Sequence, residues 1–282
     1  VIRIAALVAF LAAPALLQAQ GYDTLKKIRD SKSVTVAYRT DALPFSFEKD
    51  KQPAGYTVEL CKRVIANLEQ QLKIQPLQVK WVAATSQNRM DLVKNKQADM
   101  ECGSTTATFS RMEQVDFSSP VFLDTTGLLV RKASGAASFT ALAGKRIAVV
   151  GGTSNEKALR TALNKASISA NVIVVSTRDD GVNALQAGSV DAFASDKILL
   201  IGVAPKVKDP TQYAMLQEDL GFEPYAIVLP RGDAAFRLAV NRALGQIYNS
   251  DAIVEIFRGT FGADFSPSPA LLVMYGLGTY PD

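Results

Sequence analysis

The sequence predicts an α/β protein of two lobes, each a mainly parallel sheet flanked by helices, with a two-strand hinge. Three observations carry this. Short β-branched or apolar runs alternate with stretches of helical periodicity. That order occurs twice. An extended stretch follows each half, at residues 125–131 and 225–230. With 282 residues, 48% of them hydrophobic, the chain can fill two lobes of roughly 100 residues or more each.

In the first half, residues 33–38 are β-branched and apolar, a strand ending at Arg39. Val58, Cys61, Val64, Ile65 and Leu68 recur at helical spacing, which predicts a helix over 58–72. Residues 77–82 alternate as a strand does. Ser86 precedes a short helical stretch over 87–96, where its hydroxyl suits a cap. Residues 98–102 form a strand leading to Gly103.

The second half repeats this order. Strands are expected at 146–150, 172–176 and 190–194, with helices at 155–165 and 181–187. Asp99-Met100-Glu101-Cys102 has a counterpart in Asp191-Ala192-Phe193-Ala194, each an acid entering an apolar strand after a helix. Two matching halves argue for two similar lobes rather than one large sheet. Helices at 234–248 and 250–257 follow the second extended stretch. If they return to the first lobe, that lobe is discontinuous and rigid-body closure becomes available. The expected division is 1–19 leader, 22–128 and 227–282 first lobe, 129–226 second lobe. Leu271, Leu272, Met274 and Tyr275 suggest a tail that docks rather than hangs free.

Composition excludes much chemistry. There is no histidine, so no Ser-His-Asp or Cys-His unit and no His-based metal site can form. Two cysteines are too few for a thiolate cage. The expectation is no catalytic residue, no metal and no cofactor. The net charge of +4 is spread over scattered residues such as Lys26, Arg29, Lys94 and Lys206, without the basic stripe of a nucleic-acid binder.

Arg3 is the sole charge among residues 1–20, and residues 4–17 are almost continuously apolar. A run of about 14 residues is short for a bilayer span of about 20. It fits a secretory signal peptide cut after Ala19. An exported chain meets an oxidising compartment, so Cys61 and Cys102 can pair. Two buried thiols remain the alternative.

The chemistry gathers at strand ends, where open α/β sheets bind ligands. Ser104 and Thr106 offer hydroxyls after the strand at 98–102. Arg111 sits at an expected helix start, where a guanidinium can hold a carboxylate by two parallel hydrogen bonds. In the second half Gly151-Gly152-Thr153-Ser154 forms an anion cradle before a helix, without the Lys-Ser/Thr ending of a P-loop. Asp196, ending another strand, can pair with an ammonium. A guanidinium, hydroxyls and a carboxylate are the contacts an amino acid needs.

Two motifs, Thr85-Ser86-Gln87-Asn88-Arg89 and Glu101-Cys102-Gly103-Ser104-Thr105-Thr106, resemble those of the glutamate/aspartate-binding proteins of bacterial ABC importers. Over roughly residues 22–265 the chain resembles the wider periplasmic amino-acid-binding family, solute-binding protein family 3, with its two-lobed type II periplasmic-binding-protein fold. The resemblance implies that Arg111, with the backbone at Thr106 and Thr153, takes the α-carboxylate. It implies that Asp196, Ser104 and Thr106 receive the α-ammonium. It implies that Arg39, Ser86 and Arg89 read the side-chain carboxylate. It further implies a monomeric periplasmic receptor that hands glutamate or aspartate to a membrane ABC permease.

One departure stands out. Asp180 matches a position where related proteins often carry a histidine that helps bind the side-chain carboxylate. A second carboxylate about 5 Å from the ligand's would cost about 3 kcal/mol at an effective dielectric near 20. Either Asp180 turns away, toward Arg178 for instance, or the site prefers glutamine or asparagine. A prephenate-type (cyclohexadienyl) dehydratase on the same fold is the enzymatic alternative. Glu101 is its best-placed general acid.

Overall fold

The computed structural model describes residues 23–203 and 207–281. The expected leader and Lys206 lie outside the described residues. The described chain begins with α1 (Thr24–Ser31), capped by the Asp23 side chain, an element the periodicity did not single out. β1 (Ser33–Arg39) leads into a small antiparallel sheet of β2 (Asp41–Ala42), β3 (Ser46–Lys49) and β4 (Gln52–Ala54). α2 (Tyr56–Leu72) buries the expected stripe of Val58, Cys61, Val64, Ile65 and Leu68.

β5 (Gln78–Ala84) precedes α3 (Arg89–Lys94), which is shorter than its periodicity suggested. Its N-cap is Asn88, not Ser86. Thr85 and Asn88 explain the difference. Asn88 Oδ1 accepts the Thr85 N–H at 2.8 Å, and Thr85 Oγ1 accepts the Asn88 N–H at 3.2 Å. This reciprocal pair has the form of a capping box with Thr85 in the capping role, and the Arg89 N–H already reaches the Thr85 carbonyl at 3.2 Å, so Ser86 lies within the entering turn instead of capping it. β6 (Met100–Glu101) is only a two-residue strand, and α4 (Phe109–Met112) begins where Thr108 caps the Arg111 N–H.

β7 (Asp116–Arg131) is the long strand that leaves the first lobe. The second lobe then runs β8 (Arg146–Val150), α5 (Ser154–Lys165), β9 (Asn171–Val175), α6 (Arg178–Gln186), β10 (Ala192–Asp196) and α7 (Lys197–Gly202). β11 (Tyr213–Met215) pairs with β7, and β12 (Gly221–Leu229) returns. α8 (Ala234–Tyr248), α9 (Ala252–Phe261) and α10 (Pro269–Leu277) follow.

Strand order is β5-β1-β6-β12-β7-β10-β8-β9. β5, β1 and β6 are mutually parallel, as are β10, β8 and β9. Between these two triplets, β7 and β12 run antiparallel to each other, from Gly221 opposite Thr126 to Leu229 opposite Asp116. A shared antiparallel pair flanked by parallel triplets produces two lobes on one continuous strand path. The inner parallel strands β1, β8 and β10 are largely buried, whereas the edge strands β5 and β9 are partly exposed.

Each lobe has its own core. Val34, Val36, Leu60, Met100, Ile227 and Phe236 belong to the first, and the last helices join it through Leu244, Ile256, Leu271 and Tyr275. The tail therefore docks, with the Tyr275 and Tyr56 hydroxyls 2.6 Å apart, although Leu272 points to solvent. Leu128, Ile147, Val149 and Leu159 fill one side of the second sheet, and Leu185, Val190 and Phe193 the other. The two cysteines are paired: a Cys61–Cys102 disulfide ties α2 to the chain just past β6.

Candidate functional site

The predicted ligand residues lie at, or a few positions past, the carboxyl ends of parallel strands. Arg39 closes β1, Ser86 and Arg89 follow β5, and Ser104 and Thr106 follow β6. Thr153 follows β8, and Asp196 closes β10. All except Thr153 are buried. Arg111 belongs with them: Nη1 donates to the Thr106 carbonyl at 2.7 Å and Nη2 reaches across to the Gly152 carbonyl at 3.5 Å. It is the buried residue of a four-residue helix, not a surface arginine.

Single buried guanidinium donors that lack partners point to what the cleft receives. Arg39 gives Nε and Nη2 to Asp41 Oδ1, at 2.9 and 2.5 Å. Its Nη1, together with Arg89 Nε and Ser104 Oγ, has no hydrogen-bond partner among the described residues. Leaving such donors dry and unpaired costs about 1–3 kcal/mol each, more where the group is charged. Burial pulls Arg39 and Arg89 down to about 10, helped at Arg39 by the neighbouring Arg89 and at Arg89 by Arg111. Both remain cationic at neutral pH.

Glu101 lies beneath these arginines. It is fully buried; Thr105 donates to Oε2 at 2.7 Å, and Oε1 has no partner among the described residues. Burial pushes its carboxyl above the ordinary range, while Arg89, Arg39 and Arg111 pull the other way. Gly103 is required here. A Cβ at that position would lie 2.2 Å from Glu101 Oε1 and 2.9 Å from Arg39 Cγ. The Glu-Cys-Gly-Ser order thus lets a buried acid pass directly under the chain that carries Ser104.

Thr153 caps α5, its hydroxyl accepting the Glu156 N–H and donating to the Val150 carbonyl at 2.7 Å. Its neighbour Ser154 donates to Glu223 at 2.7 Å and touches the first lobe at Thr106 Oγ1, 3.0 Å away. Arg111, Gly152, Thr153, Ser154 and Glu223 line a groove of about 480 Å³. Asp196 is raised to about 6 by burial, then by the nearby Glu223, with Arg178 opposing.

Two residues were missed in the sequence. Glu223, on β12, collects hydroxyls from Thr106 and Thr126 at 2.5 Å each, and from Ser154. An acid inside an apolar strand, Gly-Phe-Glu-Pro-Tyr-Ala-Ile, was the available signal. The other is Arg178. It is buried, with Nη2 3.9 Å from Asp196 Oδ2 and Nη1 donating to the Asp41 carbonyl at 2.9 Å.

Asp180 turns away, and not toward Arg178. Its carboxylate accepts the Thr177 N–H at 3.0 Å while its own N–H goes to Thr177 Oγ1 at 3.1 Å, a capping box on the exposed side of α6. The Thr-x-x-Asp spacing was readable as that cap. The side chain this segment sends into the cleft is Arg178. Gly181 helps it there: a Cβ would lie 2.4 Å from the Phe193 ring, so α6 packs close against β10.

A two-lobed α/β fold, with a charged and largely buried cleft at the facing strand ends, defines a receptor that encloses a small polar solute. The pattern that defines the bacterial extracellular solute-binding proteins, family 3, matches residues 34–263, and the chain belongs to that family. It is 32% identical over 246 residues to the L-glutamate/L-aspartate-binding protein of Pseudomonas aeruginosa, covering 86% of this chain and 82% of that one. It is 29% identical over 245 residues to the glutamate/aspartate import solute-binding protein of Escherichia coli, covering 86% and 81%. A solved ABC uptake transporter substrate-binding protein of Streptococcus pneumoniae, with bound histidine, superposes with a TM-score of 0.76 at 21% identity, covering 87% of this chain and 99% of that one. That last likeness bears on the fold alone.

Proposed function

We propose that this chain is a monomeric periplasmic receptor that captures glutamate or aspartate between its lobes and delivers it to an ABC permease. The lobes divide as 22–128 with 227–282, and 129–226. The observation that carries the ligand class is the pair of buried, unpartnered donors, Arg39 Nη1 and Arg89 Nε. They suit a second carboxylate, while Arg111 and the Thr106 and Thr153 backbone suit the α-carboxylate and Asp196 the ammonium. Ser86 and Ser104 supply the remaining hydroxyl contacts. The retreat of Asp180 into its capping box removes the repulsion that would have argued for an amide ligand. Relatives named for glutamate and aspartate support the same reading.

The protein acts without bond-making chemistry in this reading. Glu101, the best-placed acid for a dehydratase, is fully buried beside Gly103 and held by Thr105, among three arginines that suit an anion held in place. Incubation with prephenate is expected to yield no aromatic product. Calorimetric titration of the wild type and Arg89→Ala with glutamate and glutamine tests the ligand assignment. Arg89→Ala is expected to weaken glutamate more than glutamine; equal losses would sink it.

A further inference from the structure

Asp41 is the acid that arginines of both lobes share. It lies on β2 in the first lobe, two residues past Arg39. The turn between them is pinned by Ser46, whose Oγ accepts the Arg39 N–H at 2.9 Å and donates to the Arg39 carbonyl at 3.1 Å. Oδ1 of Asp41 takes the Nε and Nη2 edge of Arg39. From the second lobe, Arg178 Nη1 donates to the Asp41 carbonyl at 2.9 Å and lies 3.8 Å from Oδ2. The two carboxylate oxygens thus face opposite lobes. Close by, Gln87 Nε2 donates to the Ser176 carbonyl at 3.1 Å, again across the cleft.

The charges make this arrangement consequential. Arg39, Arg89 and Arg178 lie within electrostatic reach of one another, and all three are buried. Bringing Arg178 toward the first lobe adds a cation to a site that already holds two. Without an anion at the meeting point, closure would work against that repulsion in a low-dielectric setting. Asp41 carries an anion there on the first lobe, reaching both Arg39 and Arg178, beside Glu101, which acts on Arg39 and Arg89, and Asp196, 3.9 Å from Arg178. Asp41 also leaves Arg39 Nη1 unused and aimed elsewhere.

We propose that Asp41 is a positioning residue: it fixes the Arg39 fork for the ligand and receives Arg178 on closure, so that it sets the open–closed balance of the lobes. Its side chain is 21% exposed, against 1% and 5% for its two arginine partners, placing it at the rim of the cleft. The inference rests on the receptor reading only in that closure is what traps a solute. Its effect on affinity follows from the fraction of molecules able to close.

The test separates the two. Spin labels at Gln70→Cys on α2 and Lys165→Cys at the end of α5, both exposed, report the distance between lobes. The native cysteines are paired with each other and so do not compete for label. Pulsed dipolar spectroscopy is run on protein dialysed free of amino acids, so it needs no assumption about the ligand. Asp41→Ala and Asp41→Asn are expected to shift the distance distribution to longer values, and Asp41→Glu to restore part of it. Circular dichroism checks that each variant is folded. An unchanged distribution in folded Asp41→Asn overturns the proposal.

Stopped-flow release of glutamate supplies the second readout. Dissociation should quicken about tenfold in Asp41→Asn, with a smaller change in association. In a cycle with Arg178→Ala, the two losses should overlap; strictly additive losses would also overturn it. If the wild type fails to bind glutamate, the receptor reading fails while the spin-label comparison still decides on Asp41.

Discussion

In the first lobe, Asp99 accepts the Thr35 N–H at 2.7 Å and the Lys27 ammonium at 2.6 Å; in the second, Asp191 accepts the Arg146 N–H at 3.0 Å and its Nε at 3.2 Å. Each acid also returns its own N–H to the same partner strand, to the Thr35 carbonyl at 2.7 Å and the Arg146 carbonyl at 2.8 Å. One device therefore ties neighbouring parallel strands at their amino ends in both lobes. The carboxyl ends, by contrast, diverge. The first lobe carries Arg39, Arg89 and Arg111 there, over the buried Glu101. The second carries Asp196 and Arg178, with the Gly152–Ser154 cradle beside them. The lesson is that one end of the strand–helix unit holds the scaffold while the other is free to vary in charge. Under the proposed function, a solute of mixed charge is read where the two different ends meet.

Stapling is a second difference, and it offers the largest predicted effect. The Cys61–Cys102 bridge spans 41 residues of the first lobe, and among the described residues no cysteine lies in the second. Closing a loop of that length is worth about 4 kcal/mol in the chain-entropy model. Replacing both cysteines by alanine should lower the urea midpoint read by Trp81 fluorescence, since the single tryptophan lies on β5 of the stapled lobe. A circular-dichroism transition that falls equally would break the idea that the lobes are separately held.

Next comes Arg111→Ala. Removing a buried guanidinium that faces a carboxylate costs about 2–5 kcal/mol. Calorimetry should show glutamate and glutamine weakened alike, because both present the same α-carboxylate. A loss confined to glutamate would move Arg111 to the side-chain subsite and redraw the division of labour between lobes.

The matched acids sharpen the comparison directly. Asp99→Ala and Asp191→Ala should each lower stability by about 1–3 kcal/mol, by stranding a strand N–H and an amine or guanidinium partner. Asp99 should cost more, since its side chain is 3% exposed against 14% for Asp191. Chemical denaturation of the two variants checks both the equivalence and the order.

The smallest effect concerns Asp196. Its carboxyl is raised to about 6 from 3.8, chiefly by burial. The folded protein therefore holds a proton that the unfolded chain loses sooner. That contribution is fully present below pH 3.8 and is lost as pH rises through about 6. Asp196→Asn should accordingly raise the melting temperature of the amino-acid-free protein at pH 8 by a few degrees, on the order expected for a buried charge removed. At pH 4 the difference should nearly vanish. The same substitution should weaken amino-acid binding, which would mark Asp196 as a group kept for the ligand at a cost in stability.

The fold was largely readable because its signals are local. The stripe of α2, the run of β8 and the extent of α8 follow from periodicity, and the structure agrees with them closely. Errors came where side chains rewrite the backbone. Thr85 took the capping role in place of Ser86, and the strand expected over 98–102 was shortened at both ends to Met100–Glu101. α1 and the small sheet of β2 to β4 went unnoticed, being too short or too polar to show a period. In the site, residues within recognisable motifs could be nominated. Glu223 and Arg178 belong to no such motif, and each gains its role from partners distant in sequence: Thr106 and Asp41.

By itself the sequence determined the two-lobed α/β plan, the absence of histidine chemistry and the set of arginines and hydroxyls at the strand ends. These depend on periodicity, composition and near neighbours, which a linear chain displays. Only the tertiary structure decided that Cys61 and Cys102 pair, that Asp180 caps a helix while Arg178 enters the cleft, and that Asp41 joins arginines of both lobes. Those outcomes turn on which groups meet after the chain has crossed between lobes twice. Burial then sets their charge states, and burial is a property of the assembled fold.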